Sequence, residues 1–344
     1  MEHKVTLNDI AEQAGVHRST VSLALRNHPR ISKPVRDRIQ KLASDLDYRV
    51  NPLVAALMQE RRTGRPAFDS TIAFVTNYPE RFGWRPTHHS RPDFYPGAVE
   101  RAKQLGYNLE HFWLAEPGMT AQRFCDILAT RSIHGLIIGR LPPGQCELQL
   151  PLGNFSCVAL GMTLRNPVLH HVTENHFQTV WRSMRQCVER GYKRIGFVFS
   201  GDNDSPRVGD RWISAFLGYQ ASLPEADRVP FCHQIPPTER EFAEWFETNR
   251  PDAILATHSE VVLDWLSHLK VKVPDEVGIV ALEAELKTKC AGIYYEPKKI
   301  GELAVEMLVG LMHRNERGVP SDQHEILLSG EWHEGWSLPD RKKR

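Results

Sequence analysis

The sequence predicts two architectures in one chain: an N-terminal all-α helix-turn-helix head, and a doubly wound α/β body built on parallel sheets. Two observations support this prediction. Within the first fifty residues, short apolar stripes with helical spacing follow one another and are separated by glycine and proline. From residue 70 onward, short apolar runs of strand type alternate with helical stretches, which is typical of a buried parallel sheet.

Length and composition indicate more than one globular domain. The chain has 344 residues, of which 41% are hydrophobic and 25% charged. No uncharged apolar run is long enough to span a membrane, the N-terminus is not a signal peptide, and the cysteines form no CxxC pair. We therefore expect a cytoplasmic protein without a membrane partner. The expected parts are the head at 1–50, a hinge and linker at 51–69, the body at 70–338 and a basic tail at 339–344.

The charge is unevenly divided between these parts. Residues 1–66 carry a net charge of +5 and the remainder carries −4, which together give the overall +1. A basic head on a mildly acidic body suggests that the head meets a polyanion. An imbalance in so short a segment is also typical of a solvated surface.

Of the three predicted head helices, the first has clear start and stop signals and the third has a clear start. Thr6 and Asp9 have the spacing of a capping box, and Gly15 supplies a left-handed stop to the helix that they begin. The third helix starts at Ser32 and tolerates Pro34 in its first turn. Their core faces follow helical spacing: Leu7, Ile10, Ala11 and Ala14 in the first, and Val35, Ile39, Leu42 and Leu46 in the third.

The second predicted helix, Arg18–Leu25, is separated from Gly15 by only two residues, Val16 and His17. Its Val21, Ala24 and Leu25 side chains would point into the core. Its Arg18, Ser19 and Ser22 side chains would point outward. A recognition helix needs small polar and basic side chains toward the base edges, with phosphate donors at its start. The same apolar pattern would also suit a purely structural three-helix cap.

A long ordered motif distinguishes these alternatives. The run from Thr6 to Ser22 reads Thr-Leu-x-Asp-Ile-Ala-x-x-Ala-Gly-Val-x-x-x-Thr-Val-Ser and resembles the head of the lactose-repressor (LacI/GalR) family. One departure is His17, where the family usually has a serine that caps the helix and contacts phosphate. The resemblance implies sequence-specific binding to a pseudo-palindromic operator in double-stranded DNA. The DNA-binding residues that it implies are Thr6, Leu7, His17, Arg18, Ser19, Thr20, Ser22, Leu23, Arg26, Ser32, Asn51 and Leu57.

The segment that follows the head is predicted to be a hinge. Asn51-Pro52 is a helix-start pair followed by good helix formers, yet so short a helix would be marginal alone in water. By the family resemblance it folds on DNA, where two copies pair in the minor groove and Leu57 opens the central base step. The alternative is that Leu53 and Leu57 only pack against each other at i, i+4.

The body alternates strands and helices, which places a ligand crevice at the carboxyl ends of the strands. The predicted strands are Thr71–Asn77, Tyr107–Trp113, Leu136–Gly139, Cys157–Leu160, Ile195–Phe199, Ala253–Ala256 and Val277–Leu282. Predicted helices include Gly97–Leu105, Phe177–Arg190 and Ile300–His313. On the last helix, a stripe of Leu303, Met307 and Leu311 fits either a dimer interface or the core of a lobe.

The body also resembles the sensor of the same family, which is similar to a periplasmic-binding-protein fold: two α/β lobes around a cleft. This resemblance rests on the segments 97–107, 190–195, 273–277 and 297–304. It implies that the protein is a transcription regulator and acts as a repressor. It also implies a homodimer that responds to a small-molecule effector of carbohydrate type.

Four side chains are the candidate effector contacts: Tyr95, Arg211, His258 and Glu283. His258-Ser259 stands where the family has Asn-Asp, and Glu283 where it has an aspartate; the spacing from Arg211 to Phe216 is one residue longer than usual. Arg211 and Glu283 could clamp ligand hydroxyls or form ion pairs within the protein. Tyr95 ends a long aromatic-rich segment that would either stack on a sugar ring or pin the loop.

Enzyme signatures are absent from the sequence. It contains no GxSxG elbow, Walker loop or GxGxxG fingerprint. The groups His88-His89, and His170-His171 with Glu174 and His176, lack the HExxH spacing of a zinc site. We therefore expect no catalytic residue, metal or cofactor. The alternative is an α/β sugar-modifying enzyme with an accessory DNA-binding head; a purely architectural DNA protein would not need a two-lobed body.

Overall fold

A computed structural model describes residues 6–25, 30–46, 70–85, 93–199, 205–232, 237–285, 287 and 289–343. The chain divides into two compact units, Met1–Ala67 and Phe68–Arg344, which we call the head and the body. The predicted hinge with Asn51 and Leu57, and also Arg26 and His88-His89, lie outside the described residues.

The described residues of the head form three helices: α1 (Leu7–Ala14), α2 (Arg18–Leu25) and α3 (Lys33–Asp45). The predicted capping box at the start of α1 is confirmed, since the side chains and backbones of Thr6 and Asp9 bond reciprocally. Gly15 ends α1 with a φ of 64°, a left-handed conformation in which an L side chain is strained.

Packing in the head follows the predicted apolar faces. Ile10, Val21, Ala24 and Ile39 are fully buried in one cluster. Two side chains of α3 satisfy carbonyl groups at the ends of the other helices. The Arg38 guanidinium donates to the Ala14 carbonyl at 3.0 Å, and the Gln40 amide donates to the Ala24 carbonyl at 3.2 Å. This support holds α2 against the core by one face and leaves its other face outside.

The first lobe of the body is built on a six-stranded parallel sheet in the order β10-β5-β4-β3-β1-β2. Its strands are β1 (Ser70–Thr76), β2 (Tyr107–Trp113), β3 (Gly135–Ile138), β4 (Ser156–Leu160), β5 (His170–Glu174) and β10 (Glu325–Leu328). Its helices are α4 (Tyr95–Gln104), α5 (Ala121–Thr130) and α10 (Pro297–Arg314). Helices α4 and α10 cover one face of the sheet and α5 covers the other, as expected of a doubly wound fold.

The second lobe is built on a five-stranded sheet in the order β11-β9-β8-β7-β6, in which β11 is antiparallel to β9 and the other pairings between described strands are parallel. Its strands are β6 (Ile195–Val198), β7 (Ala253–Ala256), β8 (Gly278–Ala281), β9 (Gly292–Tyr294) and β11 (Glu331–His333). Its helices are α6 (His176–Glu189), α7 (Arg211–Gln220), α8 (Glu239–Asn249) and α9 (Ser259–His268).

The seven predicted strands agree with observed ones to within one residue at each end. The predicted helix at 300–313 is the longer α10, whose Leu311 is buried while Leu303 and Met307 are partly buried against the first-lobe core. This favours the lobe-core interpretation of that stripe. Among the described helices, none combines the length and the apolar character that a membrane span requires.

Helices α4 and α10 contact each other backbone to backbone. A Cβ atom placed on Gly97 would lie 2.0 Å from the Lys298 carbonyl oxygen, and one on Gly301 would lie 2.0 Å from the Phe94 carbonyl oxygen. No side chain fits in either place. The contact fixes the start of α4, and with it the residues that follow β1 toward the cleft.

The chain passes between the lobes three times: after β5, after β9, and between β10 and β11. The second lobe also holds the end of the chain. Arg341, which belongs to the predicted basic tail, stacks over the Tyr192 ring at 4.2 Å and lies 3.6 Å from the Asp252 carboxylate.

Candidate DNA-binding surface and effector cleft

The outer face of α2 carries the side chains predicted to read DNA. Arg18 and Ser19 are exposed, whereas Thr20, Ser22 and Leu23 are partly buried. The other described candidates lie at helix starts: Thr6 and Ser32 are exposed, and Leu7 is partly buried. Since Val21 and Ala24 are committed to the core, α2 can offer to a groove only the face that holds Arg18 and Ser19.

His17 stands at the N-terminal cap of α2. Its Nδ1 lies 2.8 Å from the Ser19 hydroxyl and accepts the Ser19 backbone N–H at 3.3 Å. An imidazole therefore satisfies one of the four backbone N–H groups that a helix start leaves unpaired. The substitution of serine by histidine in the family motif thus preserves the capping function.

The cleft side of the first lobe contains a buried carboxylate. Glu174, the last residue of β5, is 2% exposed and accepts a hydrogen bond from the Arg140 guanidinium at 2.8 Å and one from the Thr173 hydroxyl at 3.1 Å. Arg140 follows β3 and lies with its guanidinium 4.6 Å from the centre of the Phe94 ring. The ion pair and the ring hold Arg140 in one position at the carboxyl ends of the strands.

His176 is the next buried ionisable group, two residues beyond Glu174. Its Nε2 lies 3.8 Å from the Glu174 carboxylate, and its ring packs edge-on against Trp212 at 5.3 Å. Burial lowers the pKa of His176 to about 4, although the Glu174 charge opposes that shift. Burial acts to raise the pKa of Glu174, but the Arg140 guanidinium, His176 and hydrogen bonds from the backbone and Thr173 together outweigh it, so the pKa is lowered and the carboxylate stays ionised.

Two arginines of the second lobe reach the first lobe. Arg211, at the start of α7, donates to both carboxylate oxygens of Glu325 in β10, at 2.9 and 2.8 Å. Arg207 donates to the Leu141 carbonyl, just beyond β3, at 3.0 Å. Arg211 was predicted to contact an effector; the structure shows it engaged with a carboxylate of the opposite lobe, which is the ion-pair alternative. A ligand that takes Arg211 must compete with Glu325.

His258 and Glu283 follow neighbouring strands of the second lobe. His258 precedes α9 and lies with its Nδ1 3.4 Å from the Glu260 carboxylate. Glu283 follows β8 and is partly buried. Its charge adds to the effect of burial in raising the pKa of Tyr295. Both positions are at the carboxyl ends of strands, where a cleft ligand would be contacted.

Tyr95 lies in an aromatic cluster at the start of α4. Its ring packs edge-on against Phe74 at 5.0 Å and against Trp84 at 5.2 Å, and the Arg85 guanidinium lies 5.0 Å from its centre. Phe74 belongs to the first-lobe core, so these contacts support the interpretation that the aromatic side chains pin the loop. The neighbouring Phe94 is the ring that contacts Arg140.

Hydrogen bonds join the three lobe crossings. The Tyr295 hydroxyl, after β9, contacts the Thr179 hydroxyl of α6 and the Asn175 carbonyl, the latter at 3.4 Å. The Asn175 backbone N–H donates to the Leu328 carbonyl at 2.7 Å. A movement of one crossing therefore requires a response from the others.

Sequence reasoning did not assign a role to Arg140, Glu174 or His176. Each lies at or just beyond the carboxyl end of a strand, which is the signal that could have found them. Among the described residues, which include His170, His171 and His176 but not His88-His89, no three histidine, cysteine or acidic side chains are placed to hold a metal ion.

Two parts of the chain match known protein families. Residues 6–51 match the family model of bacterial regulatory proteins, lacI family, and residues 184–338 match the model of a periplasmic binding protein-like domain. The chain is 25% identical over 304 residues to the NTD biosynthesis operon regulator NtdR of Bacillus subtilis, covering 82% of this chain and 83% of NtdR. It is 23% identical to the HTH-type transcriptional repressor CytR of Escherichia coli, covering 82% and 81%.

Solved structures share the fold over nearly the whole chain. A Lac repressor dimer bound to operator and the anti-inducer ONPF aligns with a TM-score of 0.57 at 16% identity, covering 98% of this chain and 100% of that one. The CelR–cellobiose complex aligns with a TM-score of 0.53 at 15% identity, covering 97% and 99%. A regulator from Weissella paramesenteroides with bound glucose aligns with a TM-score of 0.54 at 14% identity, covering 79% and 99%. The all-α head and the two-lobed, doubly wound body are thereby confirmed.

Proposed function

Because residues 6–51 match the lacI family of bacterial regulatory proteins, we propose that the chain is a transcription regulator of this family, which binds a pseudo-palindromic operator and represses the genes beside it. The observation that carries the proposal is the outer face of α2, where Arg18 and Ser19 are exposed beside a histidine cap while the opposite face is fixed in the head core. A supported helix with small polar and basic side chains at its start is what major-groove reading requires. Such a regulator would act in the cytoplasm, on the nucleoid.

The body would provide effector control. Its effector site would lie between the two lobes, where Arg140, His258 and Glu283 follow the carboxyl ends of strands and Arg211 reaches Glu325 of the opposite lobe. Charged groups of this kind form directed hydrogen bonds with hydroxyl-rich ligands. Solved relatives with bound glucose, sucrose and cellobiose support a carbohydrate as the effector of this chain.

The operator half of the proposal is tested by selecting duplexes from a random library with the full-length protein. An inverted repeat enriched at physiological salt would support the proposal, and equal retention of all sequences would refute it. A reporter gene placed behind the enriched site should be expressed less in the presence of the protein.

The effector half is tested with a thermal-shift screen of the protein against glucose, sucrose, cellobiose and sugar acids. A ligand that binds only the folded state raises its melting temperature, by linkage. Glu283→Ala should reduce the shift given by a hit, while its operator binding without ligand stays at the parent level. If no sugar or sugar acid changes the melting temperature, the carbohydrate assignment is wrong.

We also propose a homodimer, because an inverted-repeat operator is matched by a two-fold protein. Light scattering at micromolar concentration should give twice the chain mass, and a monomer both with and without operator would contradict it.

A sugar-modifying enzyme with an accessory head is not favoured, since the matched relatives are named as regulators. Turnover of a bound sugar by the body would revive that alternative.

A further inference from the structure

The contact between His17 and Ser19 fixes the direction of one hydroxyl on the outer face of α2. Two groups of Ser19 approach His17 Nδ1, the hydroxyl at 2.8 Å and the backbone nitrogen at 3.3 Å. A backbone N–H can only donate, so Nδ1 must be the acceptor and the neutral ring carries its proton on Nε2. The Ser19 hydroxyl must then be a donor toward Nδ1 as well, because an unprotonated nitrogen has no proton to give.

A hydroxyl whose proton is engaged can offer only its lone pairs to another molecule. Ser19 is exposed and adjoins the exposed Arg18, so its oxygen belongs to the surface that would enter a groove. In the major groove, the hydrogen-bond donors are the amino groups of adenine and cytosine, whereas guanine and thymine present acceptors. An acceptor at Ser19 therefore matches the first two bases and not the last two.

We propose that His17 sets the base preference of Ser19. By holding the hydroxyl proton, the imidazole makes Ser19 an acceptor that selects adenine or cytosine, on the strand it faces, at one base pair of each half-site. His17 is thus a positioning residue that influences specificity without touching a base. The inference rests on the proposed DNA-binding function and adds to it the chemistry of one operator position.

The test is the same library selection, carried out with the full-length protein and its variants. The parent should enrich adenine or cytosine at one base pair of each half-site. Ser19→Ala identifies that pair, since it alone should lose its preference, and the affinity for the enriched site should fall about 2- to 10-fold. Arg18→Ala is the matched control, because it should relax a different base pair.

The role of His17 in orienting the Ser19 hydroxyl is tested by two substitutions at position 17. His17→Ala removes the acceptor and lets the Ser19 hydroxyl rotate and donate, so guanine and thymine should become accepted at the pair that Ser19→Ala identified. His17→Asn keeps a carbonyl acceptor and a good helix cap, and it should retain the parent preference. Circular dichroism of each variant at the temperature of the selection shows that the head is folded.

Three results would overturn the inference while leaving the proposed function standing. The first is a parent operator with guanine or thymine at the identified pair, the second is a Ser19→Ala profile that matches the parent at every position, and the third is a folded His17→Ala variant with the parent preference. If the parent enriches no sequence at all, the proposed function fails, and the inference fails with it.

Discussion

The buried His176 side chain makes the stability of the folded protein depend on pH between about 4 and 6.5. Burial lowers its pKa from 6.5 to about 4, so the unfolded chain binds a proton that the folded protein does not between these two values. Its contribution to stability is complete above pH 6.5, and is lost progressively as the pH falls toward 4. The pKa of Glu174 is also lowered, but that contribution is lost only below the carboxyl's ordinary range near 4.5.

We therefore expect His176→Gln to lose less stability than the parent between pH 7 and pH 5. The pKa difference corresponds to about 3 kcal/mol over the full window. Urea unfolding at the two pH values measures the difference between variant and parent, which removes the contribution of the other buried histidines. His268→Gln is the control, since the pKa of that exposed histidine is raised by its hydrogen bond to Glu239. Equal pH dependence in His176→Gln and parent would contradict the assignment.

Arg18 gives a second residue-scale prediction. Arg18→Ala should weaken binding to the cognate operator by about 1–3 kcal/mol, because a bidentate contact with a base edge is lost. Binding to random DNA should fall much less, since phosphate contacts elsewhere remain. Titrations on both DNAs at one salt concentration measure the two losses. Equal losses would mean that Arg18 touches only phosphate.

The candidate site was predictable where its signal is local in the sequence. His17, Arg18 and Ser19 lie within a continuous motif, so their positions at the start of α2 followed from the sequence. Arg140 and Glu174 are 34 positions apart and meet only because β3 and β5 end at the same edge of one sheet. No spacing rule within the chain could have paired them.

At the scale of elements, strand β5 also lacks a local signal in the sequence. Its sequence, His-His-Val-Thr-Glu, lacks the apolar run of a buried parallel strand, yet all five residues are buried. Polar partners make this possible: the His171 Nδ1 lies 2.6 Å from the Gly161 carbonyl, and Glu174 is paired with Arg140. The neighbouring strands with aliphatic runs were predicted correctly, because aliphatic side chains can be buried without hydrogen-bonding or charged partners from elsewhere in the chain.

The contact between α4 and α10 gives a prediction at this scale. Gly301→Ala would place a methyl group 2.0 Å from the Phe94 carbonyl, which must move, and we expect a loss of about 2 kcal/mol or more of unfolding free energy. Gly310→Ala, in the same helix, meets only the flexible end of Arg314 at 3.2 Å. It should change stability by less than about 1 kcal/mol, in either direction. Urea midpoints of the two variants provide the comparison, and similar losses would refute the backbone contact.

At the scale of the whole body, the Arg211–Glu325 pair should couple the lobes. Each side chain is about one quarter exposed, at 24% and 27%, so solvent screens the pair only in part. We expect a coupling energy of about 1 kcal/mol in a double-mutant cycle of Arg211→Met and Glu325→Gln, measured by urea unfolding. The Arg240–Glu244 pair within α8 is far more exposed and should show less coupling. A coupling energy of zero between Arg211 and Glu325 would contradict a direct link between the lobes.

The three crossings have a consequence for how the protein is made. The first lobe draws β10 and α10 from the last quarter of the chain, and the second lobe requires β11 and Leu338 near its end. When residues 1–290 have been synthesised, each lobe therefore still lacks strands or helices that complete it. Folding of the body must await the synthesis of residues 297–338, while the small head, made of consecutive residues, can form as soon as it emerges. A nascent chain stalled near residue 290 should contain a protease-resistant head and a body that is readily digested.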